Sequence, residues 1–171
     1  MGRGQRPPLS RIVLLMLVLA GCSSTPAELA YSPESALLAY PQALTLDKQL
    51  IGQPVRWSGL IVASRVKADH TEIELVYLPL RSNGIPQQQE QSPGRFLVHV
   101  TGLLDPQLYA AGRSFSVLGT LKQWQSGQIG EQPYQFPVVD AQRYKLWPKL
   151  KEVEVRYVRD PFDDWLWPPR P

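Results

Sequence analysis

The chain has 171 residues, with 18 basic and 15 acidic residues, a formal net charge of +3 and a single cysteine. One cysteine excludes an intrachain disulfide, and the length suits one domain with one core. Three of the basic residues lie in the first 21 positions, so the rest of the chain carries 18 − 3 = 15 basic residues against 15 acidic ones. That neutral balance argues against a nucleic-acid-binding protein.

The N-terminus has the layout of an export signal. Arginines precede an apolar run over 12–20, which is shorter than the ~20 residues of a membrane-spanning helix. The run ends in a motif that resembles a bacterial lipobox: Leu19, Ala20, Gly21 and Cys22. The resemblance implies a lipoprotein signal peptide over 1–21. It also implies that Cys22 becomes the first mature residue, with lipid on its sulfur and a fatty acid such as palmitate on its amine.

Ser23 bears on the destination of such a chain. In bacterial lipoproteins an Asp at that place resembles an inner-membrane retention signal, so Ser implies export to the outer membrane. Two or more acyl chains give stable attachment. We therefore expect a protein that is lipid-anchored in the outer membrane and faces the periplasm. The alternative is an ordinary cleaved signal with an incidental cysteine.

The mature chain divides into three parts by composition. Prolines at 26, 33 and 41 interrupt 22–43, which we expect to be the acylated N-terminus and a tether. A folded domain is predicted over 44–148. Residues 149–171 are predicted to form an extended C-terminal tail, because they are rich in aromatic residues and proline.

Five stretches of the domain have the patterning of strands: 55–63, 71–78, 95–100, 114–124, and 134–146 with an interruption at Pro137. In the second stretch, Ile73, Leu75 and Tyr77 share one face, while Glu72 and Glu74 share the other. The polar stretch 81–94 is long for a connection and predicts a mobile or functional loop.

A short helix is predicted between the third and fourth strands. Asp105 can cap it, Pro106 suits its first position and Gly112 can end it. Five strands with one helix at that place resemble the OB barrel. The predicted fold is therefore mainly all-β: a small five-stranded OB-like barrel, one short helix and an aromatic tail. A small β-sandwich is the competing architecture.

An ordered set of segments runs through the chain: 51–62, 73–80, 94–96, 104–106, Tyr109, 112–113, 117–119, 134–139, Tyr144 and 146–147. In this order and spacing, these segments resemble the Slp family of outer-membrane lipoproteins. The chain departs from the expected pattern at Ser58, where a second glycine beside Gly59 is expected. The resemblance implies an envelope location and a role associated with starvation or stress, but no catalytic mechanism, ligand or cofactor.

The sequence contains few candidates for catalytic or metal-binding residues. His70 and His99 are the only histidines, and neither has a neighbour at metal-ligand spacing, so we expect no metal site. Glu72 and Glu74 could in principle serve glycoside hydrolysis, but a solvated strand face explains the pair more simply. Neither a phosphate-binding glycine loop nor a Gly-x-Ser-x-Gly motif is present. We expect no enzyme activity and no cofactor.

Five tryptophans remain to be placed. Trp57, Trp124 and Trp147 fall in or beside predicted strands, where packing is the default. Trp165 and Trp167 lie in the tail, where they could pack on the domain, dock on a partner or touch lipid. We take Trp124, Trp165 and Trp167 as a possible binding surface.

Two functions from different classes follow. The first is a non-catalytic outer-membrane lipoprotein that acts through binding or structural support, with the membrane and envelope proteins as partners. The second is a periplasmic protein that binds or cleaves cell-wall glycan across the barrel face, using the exposed tryptophans and Glu72 with Glu74.

Overall fold

The computed structural model describes residues 25–149, which form a closed barrel of five strands. The strands are β1 (Pro54–Val66), β2 (His70–Leu78), β3 (Arg95–Thr101), β4 (Ser114–Ile129) and β5 (Gln132–Leu146). Their order around the barrel is β1-β2-β3-β5-β4, and β4 pairs with β1 to close it. All neighbours are antiparallel except β3 and β5, which pair in parallel over Leu97–His99.

The mainly β prediction of a five-stranded barrel is confirmed, and the β-sandwich alternative is wrong. The last two strands are longer than expected, since β4 runs to Ile129 and β5 starts at Gln132. Pro137 does not interrupt β5. It lies within the strand, opposite Trp124 of β4. The long β4–β5 hairpin bends over the outside of β2 and β3, where Phe136 packs with Leu97.

The helix predicted over 105–112 is wrong. Asp105 does begin a turn there, because its side chain accepts a hydrogen bond from Gln107 N at 2.8 Å and its carbonyl accepts one from Tyr109 N at 3.1 Å. Nothing extends the turn into a helix before β4 begins at Ser114. The one α-helix of the described chain, α1 (Tyr40–Ala43), precedes β1 instead, and short 3-10 turns occupy Ala27–Leu29, Glu34–Ala36 and Lys48–Leu50.

Aromatic side chains fill the barrel interior. Trp57, Tyr40, Phe96 and Phe115 are all at most 2% exposed. The Trp57 indole N–H donates to Leu38 O at 2.9 Å, and the Tyr40 hydroxyl donates to Arg95 O at 2.9 Å. Both polar atoms are therefore satisfied, so the rings contribute their apolar area without an unpaired donor.

Two glycines allow the strands to approach closely. A Cβ at Gly59 would overlap the Val76 carbonyl oxygen of β2, and a Cβ at Gly119 would overlap the Asp140 carbonyl oxygen of β5. Only glycine fits such backbone contacts. Ser58 is fully buried beside Gly59, and its hydroxyl donates to Leu78 O at 2.6 Å, which shows how β1 accommodates a serine at that place.

The first part of the segment ahead of β1, residues 25–34, lies on the outer face of the barrel, whereas Leu38 and Tyr40 enter the core. Leu29 is completely buried, Leu38 N donates to Pro54 O at 2.8 Å, and Arg143 of β5 donates to Ala30 O at 3.0 Å. The tether predicted over 22–43 is thus packed on the domain from residue 25 onward, because its apolar side chains find a partner surface that a sequence pattern does not show.

Candidate functional site

The lipobox residues Leu19, Ala20, Gly21 and Cys22 lie outside the described residues, and so do Trp165 and Trp167. Among residues 25–149, no helix combines the length and apolar character that crossing a bilayer requires. The described part of the chain contains four features that bear on function: the surroundings of Trp124, a charged cluster on β2, a pair of histidines and a groove beside Trp147.

Trp124 is half-buried and held in place by α1. Its indole N–H donates to Ala43 O at 2.8 Å, and its ring packs against the barrel core. It also lines an open cavity of about 310 Å³ together with Leu46 and Ile51, which are 46% and 45% exposed. Leu46 has a φ of 60°, a left-handed conformation that costs a non-glycine residue of order 1 kcal/mol. The result is an apolar patch presented to solvent around a fixed indole.

The sequence predicts a solvated strand face for Glu72 and Glu74, but the two residues are only 6% and 7% exposed. The β4–β5 hairpin covers them, and Gln125 of that hairpin donates to Glu72 at 3.4 Å. Arg65 of β1 reaches both carboxylates at 3.4 and 3.3 Å. Arg95 of β3 reaches Glu74 at 2.8 Å. We call these four charged residues, Arg65, Glu72, Glu74 and Arg95, the carboxylate cluster.

The carboxylate cluster neutralises itself, with two arginines against two glutamates. A cavity of about 160 Å³ adjoins it, lined also by Leu97 and Phe136. Glycoside hydrolysis needs one carboxyl group that keeps its proton and another that is free to act as base or nucleophile. Here each carboxylate is in contact with a guanidinium, so the geometry favours a structural ion-pair network.

The two histidines meet across β2 and β3. Their ring centroids are 4.3 Å apart, and His99 Nε2 lies 3.7 Å from Glu72 Oε2 without a hydrogen-bond partner. The pKa of His99 is lowered, chiefly by burial and also by the nearby His70 and Lys122. The described residues contain no group of three or more metal-ligating side chains. Sequence reasoning missed this contact, although the strand register that pairs Glu72 with His99 would have revealed it.

A groove lies where the loop after β2 meets the end of β5. Arg81, Ile85, Pro86, Gln88, Trp147 and Lys149 line it, and its volume is about 420 Å³. Sequence reasoning missed this groove, and the only signal for it was the unusual length of the polar stretch 81–94. Hydrogen bonds hold the start of that stretch in place. Arg81 N donates to Ile85 O at 2.9 Å, and the Ser116 hydroxyl donates to Gly84 O at 3.0 Å.

These features define the class of protein: a small closed β-barrel domain wrapped by its own N-terminal segment, with a self-neutralising charged cluster and two open apolar sites at its surface. The chain belongs to the outer membrane lipoprotein Slp family, whose family model matches residues 19–171. Membership in a family of outer membrane lipoproteins indicates association with the outer membrane.

Relatives agree with this assignment. The chain is 29% identical over 151 residues to the uncharacterized lipoprotein YeaY of Escherichia coli K12, covering 88% of this chain and 77% of the relative. It is 33% identical over 151 residues to an uncharacterized protein of Haemophilus influenzae, covering 86% and 77%. It is 29% identical over 147 residues to the outer membrane protein Slp of E. coli K12, covering 85% and 78%.

Proposed function

We propose that this protein is exported with a lipoprotein signal peptide over 1–21, is acylated at Cys22, and holds its barrel on the periplasmic face of the outer membrane. The observation that carries the proposal is that the family match begins at residue 19 and so includes the whole lipobox. Ser23, rather than Asp, supports transport to the outer membrane. The strand order β1-β2-β3-β5-β4 supports an OB-like binding module.

The proposed action is binding or structural support without catalysis. The paired charges of the carboxylate cluster support this, because an arginine holds each glutamate in an ion pair. The binding surface is proposed to include Trp124, whose apolar surroundings are exposed, and the tail residues Trp165 and Trp167. A role in starvation or stress is part of the proposal, and loss of stationary-phase survival in a deletion strain would test it.

Cys22→Ser tests the anchor. Without the sulfur there is no site for the diacylglyceryl group, so we expect an unprocessed precursor that is absent from the outer-membrane fraction. Mass spectrometry of the wild-type mature chain should show acyl groups on Cys22. Ser24→Ala is a matched control that keeps the lipobox and should be processed normally. Normal outer-membrane fractionation of Cys22→Ser, or an unmodified mature terminus in the wild type, contradicts the proposal.

The orientation is tested separately. Protease added to intact cells should leave the barrel uncut if it faces the periplasm, whereas protease added after the outer membrane is permeabilised should reach it. Cleavage in intact cells would place the domain on the cell surface instead.

A further inference from the structure

We propose that the groove formed by Arg81, Ile85, Pro86, Gln88, Trp147 and Lys149 rests on the phospholipid surface to which the chain is anchored. The barrel would then have one fixed side toward the membrane. This inference rests on the acylation of Cys22 proposed above, and it adds the orientation of the domain and the partner of the groove.

The length of chain between the anchor and the barrel is the first argument. Thr25 is already held by the domain, since its hydroxyl donates to Ser82 O at 3.2 Å. Cys22 lies three residues earlier, a distance that a fully extended chain spans in about 10 Å. A rigid barrel tied to a bilayer by so short a connection must keep the surface around Thr25 close to that bilayer.

A continuous path of contacts joins this surface to the groove. Pro26 packs against Gly84, and Gly84 O accepts a hydrogen bond from the Ser116 hydroxyl at 3.0 Å. The Trp147 indole N–H in turn donates to Ser116 Oγ at 2.9 Å. Ser82, the partner of Thr25, is the neighbour of Arg81 in the groove wall. The point of attachment and the groove therefore lie on the same side of the barrel.

The chemistry of the groove suits lipid headgroups. Ile85, Pro86 and Trp147 give it apolar walls, and tryptophan is favoured at membrane interfaces. Arg81 and Lys149 are exposed at its edge, and neither forms an ion pair within residues 25–149. Exposed cations beside a membrane attract anionic headgroups.

Neighbouring acids do not cancel these cations. Glu28 lies 3.5 Å from Lys145, and Glu34 lies 2.9 Å from Arg56. These two acidic residues of the N-terminal segment therefore form ion pairs with basic residues of β5 and β1, and not with Arg81 or Lys149. The last described residue, Lys149, lies in the wall of the groove.

Photocrosslinking of the lipidated full-length mature protein tests the orientation. A benzoylphenylalanine replaces Gln88, which is exposed in the groove, or Gln128, an exposed residue near the tip of the β4–β5 hairpin. Ser114, at the start of β4, also lines the groove, and Gln128 lies 14 residues further along that strand. Gln128 is therefore a matched glutamine on a distant part of the surface. Vesicles contain phosphatidylethanolamine and phosphatidylglycerol. We expect phospholipid adducts from position 88 and few from position 128.

A charge variant tests the chemistry. Losing two basic residues near an anionic surface should lower the adduct yield at position 88 by about thirtyfold. Arg81→Gln with Lys149→Gln is the test variant. Lys67→Gln with Lys122→Gln removes the same charge elsewhere and should leave the yield unchanged. An unchanged yield in the test variant, or an equal fall in the control, overturns the role of the groove.

Flotation keeps the two proposals apart. If Cys22 carries no lipid and the protein does not float with vesicles, the proposed anchor fails. If the acylated protein floats but positions 88 and 128 give equal adducts, or position 128 gives more, the anchor stands and the orientation inferred here is wrong.

Discussion

Glu74 and Glu34 form ion pairs of nearly equal length in different surroundings. Glu74 is 2.8 Å from Arg95 and its side chain is 10% exposed, whereas Glu34 is 2.9 Å from Arg56 and is 64% exposed. Removing the Glu74 charge takes away the carboxylate of Arg95 inside the covered cluster, where water replaces it poorly. Removing the exposed Glu34 charge leaves Arg56 its hydrogen bond to Leu29 O, and water replaces the carboxylate. We predict that Glu74→Gln lowers the free energy of unfolding by about 2 kcal/mol.

Glu34→Gln is the matched control, and it should cost less than about 0.5 kcal/mol. Urea unfolding of the two variants beside the wild type measures both values. Equal losses in the two variants would contradict the assignment of the carboxylate cluster as a buried structural network.

His99 should make stability depend on pH. Burial, chiefly, and the nearby His70 and Lys122 lower its pKa below the usual 6.5, although Glu72 and Asp140 act in the opposite direction. The unfolded chain therefore takes up a proton near pH 6.5 that the folded chain does not. The free energy of unfolding should fall as the pH drops from 6.5 toward the lower pKa of the folded state.

The test is His99→Gln, which removes the titrating group. Urea unfolding at several pH values from about 7.5 down to 5 should show a flatter dependence for this variant than for the wild type. Gln89→Ala, an exposed substitution, should keep the wild-type slope. A variant slope as steep as the wild type would assign the pH dependence to other groups.

At the scale of elements, the N-terminal segment belongs to the folded unit. Leu29 is fully buried although it precedes the first strand by more than twenty residues, whereas Leu103 in the β3–β4 connection is 75% exposed. Leu29→Ala should lower the free energy of unfolding by about 3 kcal/mol, because it leaves a cavity between the segment and the barrel.

Leu103→Ala is the same substitution without burial and should stay within about 0.5 kcal/mol of the wild type. Chemical denaturation measures both. If Leu29→Ala behaves like Leu103→Ala, then the segment contributes little to the stability of the barrel.

Local patterning predicted the strands because each strand buries one face. The alternation of Ile73, Leu75 and Tyr77 correctly separated the inner face of β2 from the face of Glu72 and Glu74. It could not show that those glutamates are buried, because their cover comes from the β4–β5 hairpin, about fifty residues later in the chain. The signals at Asp105 and Pro106 were also real, but they support one turn rather than a helix.

The lipobox and the groove also differ in how far the sequence alone predicts them. The lipobox is contiguous in sequence, so four adjacent residues were enough to propose the anchor. The groove is assembled from the β2–β3 connection, the start of β4 and the end of β5, which only the fold brings together. Spacing along the chain carries no signal for Arg81 and Lys149 as neighbours, because 67 residues separate them.

At the scale of the whole molecule, the short connection between Cys22 and Thr25 is what should orient the barrel. Inserting about twelve Gly and Ser residues after Ser24 adds a flexible span of roughly 20 Å, enough to let the domain turn. The acylated variant should still float with vesicles, because the lipids are unchanged, but its phospholipid adducts at position 88 should fall toward those at position 128. The same insertion after Pro171 is the control, since it leaves the connection intact and should preserve the difference. If the variant with the insertion after Ser24 keeps the wild-type difference, then the groove holds the membrane without help from the connection, and the argument from chain length is wrong.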